Sequence, residues 1–98
     1  MTTVEKTRTN ATLTLDNGKR CCVQLRELDD FFNGVVLEGK QILLVTKTMK
    51  VAQGAFVSFE NPVDGEYLVY IRPAATYTCH VYHIESLIAY AYVPEAIL

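Results

Sequence analysis

Gln41-Ile42-Leu43-Leu44-Val45-Thr46-Lys47-Thr48 is the stretch on which the fold turns, because four apolar residues follow one another inside it without a break. A strand with one wet face alternates apolar and polar residues, whereas a continuous short apolar run fits a strand buried on both faces. We therefore read residues 41–48 as a central strand covered on two sides.

Toward the N-terminus, Glu38-Gly39-Lys40 reads as a turn and Val35-Val36-Leu37 as a short extended segment. Before them, Leu25, Leu28, Phe31 and Phe32 recur at helical spacing among Arg26, Glu27, Asp29 and Asp30, with Asn33-Gly34 as a stop. The spacing predicts a helix of about two turns, too short to stand alone, whose Leu/Phe stripe must dock on a sheet. Further upstream, Ala11, Leu13 and Leu15 alternate with Thr12, Thr14 and Asp16. Asp16-Asn17-Gly18 then supplies a reversal, and Cys21, Val23 and Leu25 alternate with Cys22 and Gln24. This pattern is a β-hairpin. Its period of two sends Cys21 and Cys22 to opposite faces, so they are not expected to share one thiol reaction. Residues 1–9 are polar and expected to be loosely held, although Val4 offers an anchor for an edge strand.

Toward the C-terminus, Gly54 precedes Ala55-Phe56-Val57-Ser58-Phe59, read as a strand that stops before Asn61-Pro62 because Pro62 restricts its neighbour. Asp64-Gly65 is the next reversal. Tyr67 to Ile71 continues the sheet as far as Pro73, and Thr76 to His83 reads as another strand because Tyr, Thr and Val suit a pleated surface. For the last segment we prefer a helix with Ile84, Leu87, Ile88 and Ala91 on one face. The alternative is a short turn at Ile84-Glu85-Ser86 leading into a strand from Leu87 to Val93, and Pro94 ends either element.

Ninety-eight residues and 11.0 kDa supply one modest core, so residues 1–98 are read as a single domain. The elements sum to an α+β fold: a mainly antiparallel, strongly curved sheet or small partly open β-barrel of about five to seven strands with one or two short helices. An open sheet that completes its core against a second copy is the alternative. The chain is too short for a dinucleotide-binding α/β fold or an eight-unit barrel.

The net charge is −2. Residues 1–50 carry eight basic and six acidic side chains, and residues 51–98 carry Arg72 against five acids. Neither half has the dense positive field that phosphate-backbone binding needs, so nucleic acid is disfavoured; Lys47 and Lys50 alone do not make a basic track. No membrane-length apolar run and no signal-peptide core appear, which leads us to expect a cytoplasmic chain. Three cysteines, two of them adjacent, do not make a disulfide framework. Asn10-Ala11-Thr12 is read as a chance match to a glycosylation acceptor.

Candidate chemistry is sparse. Cys79-His80 and His83 have the residue types of a metal or thiol site, but on a strand Cys79 and His83 stand about 13 Å apart and His80 points the other way. Asp29 and Asp30 read as a solvated helix face. No catalytic centre, metal or cofactor is expected, because no calcium loop, phosphate loop or nucleophile elbow occurs. The sharpest clue is that all six tyrosines lie from Tyr67 onward, ending with Tyr90 and Tyr92. Tyrosine gives broad, rigid contact area with a polar tip, as protein interfaces and ligand pockets use. Tyr67, Tyr70, Arg72, Tyr77, His80 and Tyr82 are the candidate binding residues, with Tyr70 and Tyr82 sharing or opposing a face according to register. The favoured reading is a noncatalytic protein-interaction or regulatory module, an inhibitor being one form of it, that binds a protein or itself. A small-ligand or nucleotide-binding module is the alternative, and a metal-dependent or thiol enzyme stands third.

Overall fold

The computed structural model describes residues 10–14 and 18–94. Seven strands occur among them: β1 (Asn10–Thr14), β2 (Arg20–Gln24), β3 (Gln41–Thr46), β4 (Val51–Val63), β5 (Glu66–Arg72), β6 (His80–His83) and β7 (Leu87–Tyr92). One helical turn, α1 (Asp29–Phe32), and a 3-10 turn at Ile84–Ser86 complete the described elements. Every strand pairing is antiparallel. The large sheet is open, in the order β6-β5-β4-β3-β7, and β1 and β2 form a separate hairpin. The expectations for residues 1–9, for Val4, for Leu15 and for the turn residues Asp16 and Asn17 lie outside the described residues.

The apolar run of β3 is interior as its composition demands. Ile42 and Leu44 enter one core with Phe31, Val36, Phe56, Val69, Ile71, Leu87 and Tyr90. Leu43 and Val45 enter a second core with Leu13, Cys21, Val23, Ala91 and Val93. Thus α1 covers one face of the strand and the β1–β2 hairpin covers the other. The four β3 side chains are at most 2% exposed, and each contributes about 1.5–3 kcal/mol by leaving water. The hairpin itself pairs Leu13 with Cys21, leaving Cys21 buried and Cys22 exposed as the alternation requires.

Six local expectations change. The central strand read over residues 41–48 ends at Thr46, because the Met49 N–H donates to the Thr46 carbonyl at 2.9 Å and turns the chain into β4. The helix is one turn rather than two. Leu25 and Arg26 are withheld from it because the Arg26 N–H donates to the Tyr90 carbonyl at 2.8 Å and the Tyr90 N–H returns to the Arg26 carbonyl at 3.2 Å, which ties the end of the hairpin to β7. The stop at Asn33-Gly34 is as read: Gly34 takes φ 71, its N–H reaches Phe31, and the Val35 N–H reaches Asp30, which together close a Schellman cap. Residues 35–37 form a loop and not a strand, since the Val35 N–H is spent on the helix cap at Asp30 and the Leu37 carbonyl accepts the Lys40 N–H at 3.1 Å in a turn.

The strand containing Gly54 does not stop before Asn61-Pro62; β4 runs on to Val63. Register shifts between Phe56 and Ser58 and between Glu60 and Val63 place Pro62 at an irregularity, where the missing N–H breaks no ladder. The Asn61 side-chain amide donates to the Val63 and Glu66 carbonyls across the reversal. The segment 76–83 is strand only from His80, because the Thr76 hydroxyl donates to the Pro73 carbonyl at 2.8 Å and holds the preceding loop in a local turn. The helix preferred for the last segment is overturned in favour of the alternative. Leu87, Ala89, Tyr90, Ala91 and Val93 are all buried, because β7 meets both cores, and a two-sided apolar strand imitates a helix in sequence.

Candidate functional site

The register between β5 and β6 distributes the sequence candidates. Val69 lies opposite Tyr82, Tyr70 opposite Val81, and Ile71 opposite His80. Residues opposite one another share a face. Tyr82 and His80 therefore leave the sheet on the side of the helix-covered core, and Tyr70 and Arg72 leave on the other. Of the two arrangements left open for Tyr70 and Tyr82, the opposed one is found. Tyr82 is half-buried against the core, whereas His80 is exposed.

Tyr67 joins a different neighbourhood. Its ring stacks on Phe59 at 5.7 Å and 11° and meets the edge of Phe32 at 4.8 Å. Phe31 touches Phe59, Phe56 and Tyr90 in turn, so this tyrosine continues an aromatic cluster under α1. Tyr77 is the opposite case, fully exposed at 100% on the loop between β5 and β6. It comes together with Arg72 around an open hollow of about 520 Å³ shared with Gln41, Ala55 and the 73–76 turn. Ala75 in that turn adopts φ 64, a left-handed conformation that costs a non-glycine residue about 1 kcal/mol or more.

The outer edge of β6 is the feature that sequence reading did not isolate. This strand ends the five-stranded sheet, and among the described residues no strand pairs with its outer side. Its residues, His80-Val81-Tyr82-His83, include no lysine, acid or proline to guard the edge. Val81 is 47% exposed. His83 Nδ1 lies 3.8 Å from Glu66 Oε2 on β5, which leans one imidazole back along the sheet. The local signal for an edge was absent because strand order is set by residues far away in the chain.

The strand geometry also separates the third candidate set. His80 and His83 fall on opposite faces of β6, and Cys79 is an exposed free thiol just before it. Among the described residues, no three His, Cys, Asp or Glu side chains converge in a group able to hold a metal. Asp30, read as solvated, is instead half-buried and accepts a hydrogen bond from the Tyr90 hydroxyl at 2.5 Å. Burial, with this bond and the neighbouring Tyr92 adding to it, pushes the Tyr90 phenol well above its ordinary 10.0. Tyr92 in turn lies beneath two cations, Arg26 at 5.1 Å and Lys40 at 5.8 Å from the ring centre.

Among the described residues, no helix is long and apolar enough to cross a membrane. Compared with family models, with curated proteins and with solved structures, the chain matches none.

Proposed function

We propose that this chain is a small noncatalytic protein-interaction module of regulatory type, and that its first partner is a second copy joined through the outer edge of β6. The observation that carries the reading is the unpaired, unguarded β6 edge with Val81 half in solvent beside it. An exposed strand edge presents unpaired N–H and C=O groups that another strand satisfies at little conformational cost. Antiparallel pairing of β6 with itself about a two-fold axis makes the contact self-complementary. It extends the sheet across two copies and sets Tyr70 and Val81 of each beside the seam on one face.

A four-residue edge is too small to hold a dimer by hydrogen bonds alone, since stable interfaces bury roughly 800 Å² per partner. The half-buried Tyr70, opposite Val81 on the same face, supplies extra area. The finer architecture belongs to the same reading. We take the fold as α+β with a strongly curved sheet, because Ala52 of β4 and Tyr82 of β6 pack on one core although β5 lies between their strands.

Sedimentation equilibrium over micromolar to high micromolar concentration tests it. The wild-type chain is expected to dimerise with rising concentration, and Val81→Lys, which places a gatekeeper charge beside the seam, is expected to weaken the dimer about tenfold or more. A wild-type chain that stays monomeric throughout, or a dimer indifferent to Val81→Lys, overturns the proposal.

A further inference from the structure

The cations of the first half are not spread evenly over the fold. Thr14, at the end of β1, lies opposite Arg20 at the start of β2. Thr14 also lines a hollow with Thr46, Thr48, Met49, Lys50, Val51, Ala52 and Tyr82. The end of one hairpin, bearing Arg20, is thereby set against the β3–β4 turn, bearing Lys47 and Lys50. Among the described residues the one ion pair is His83–Glu66, so these three cations have no carboxylate partner there. Glu66 and Glu85 line a separate hollow with His83.

The walls of this hollow are held in shape. Thr46 Oγ1 accepts the Lys50 N–H at 3.0 Å and shares a hydrogen bond of 3.0 Å with Thr48 Oγ1. The Thr46 N–H donates to the Lys50 carbonyl at 2.9 Å, and the Lys47 N–H donates to Ser86 at 2.9 Å. Met49 is fixed at φ 66, although its side chain is 70% exposed. A turn braced this way presents hydroxyls and ammonium groups without having to order them on binding, which lowers the entropic cost of capture. The same hollow is also lined by Tyr82 and by the aliphatic Val51 and Ala52. The volume, about 420 Å³, falls in the range of small-ligand sites.

Hydroxyl and ammonium donors recognise an oxyanion, and a tyrosine beside aliphatic carbon recognises a flat ring. We propose that the hollow between the β3–β4 turn and Tyr82 binds a small phosphate-bearing ligand with a planar ring, of the nucleoside monophosphate class, its phosphate on Lys50 and the threonines and its ring against Tyr82. The site is distinct from the β6 seam in what it takes, and its test does not depend on dimerisation.

Adenosine monophosphate, adenosine and inorganic phosphate are titrated separately into 15N-labelled full chain at low salt. The monophosphate is expected to shift the amides of Thr46–Ala52 and Tyr82 saturably, with a dissociation constant on the order of 0.1 mM, weakening as salt rises. Lys50→Gln is expected to weaken it about tenfold. Tyr82→Leu is expected to do the same, while Tyr82→Phe, which keeps the ring and its packing, leaves binding intact. Inorganic phosphate binding as tightly as the monophosphate overturns the ring contact and with it the proposal. Shifts elsewhere in the chain, or binding indifferent to Lys50→Gln, overturn it as well. A single-stranded oligonucleotide binding far more tightly than the mononucleotide replaces it with nucleic-acid recognition.

Discussion

Tyr90→Phe isolates a part-buried side-chain hydrogen bond that joins the helix to β7. Tyr90 is 0% exposed, and its hydroxyl donates to Asp30 Oδ2 at 2.5 Å. Removing the oxygen leaves the ring packing against Phe31 untouched and deletes a hydrogen bond to a charged acceptor, a contact worth about 1.5–3 kcal/mol. Asp30 is half-buried, so water recovers part of its solvation, and the lower half of that range is expected. For a domain of this length about 2 kcal/mol lowers the melting temperature by roughly 8–16 °C. Asp30→Asn keeps an acceptor, and the double variant is expected to show coupling of about 1 kcal/mol or more. The pH dependence adds an independent sign. The folded phenol titrates well above 10.0, so its contribution is fully present below the unfolded value and is lost as pH rises toward the folded one. Between pH 10 and 11 the advantage of the wild type over Tyr90→Phe shrinks by about 1 kcal/mol, since only the unfolded wild-type residue ionises and its ionisation is half complete at pH 10. Urea unfolding at pH 8 and at steps up to 11 measures both effects. A Tyr90→Phe chain as stable as wild type at pH 8, or an alkaline slope identical in the two, refutes the reasoning.

Gly54→Ala tests the close approach of β4 to β5: an added Cβ would sit 2.9 Å from the carbonyl carbon and oxygen of Arg72, and a backbone that must move apart costs about 1–3 kcal/mol, read as a lower urea midpoint at unchanged slope. The thiols test the hairpin's alternation: Cys22 and Cys79 are exposed and Cys21 is buried, so an aromatic disulfide reagent is expected to titrate two groups in the native chain and the third only on unfolding. Three equally fast thiols would show that the hairpin does not cover β3.

The parts of the fold legible in the sequence are those where burial is one-sided or complete over a short run. The β1–β2 hairpin follows from strict alternation, and β3 follows from four apolar residues in succession. The misread parts share a cause, namely that a distant partner decides them. Arg26 leaves the helix for Tyr90, more than sixty residues later. Likewise β7 carries apolar residues on both faces because each face meets a different core, and nothing local separates that from an amphipathic helix. Pro62 is tolerated inside β4 because register shifts absorb it, which depends on the partner strand and not on the dipeptide.

The tyrosines make the same point for the site. Their clustering in sequence says nothing of which face each takes, because a slip of one residue in β6 inverts every assignment. The register that holds is fixed by burial: Val69 and Ile71 are fully enclosed, so the residues opposite them must lie on the core side. That places Tyr82 against the core and leaves Val81 beside Tyr70 in partial solvent. The slipped register would bury the smaller valine and expose the tyrosine ring. Tyr82 buries more apolar area than Val81, so the observed pairing keeps the larger hydrophobic gain inside. The smaller residue is left at the edge of the sheet, 47% exposed.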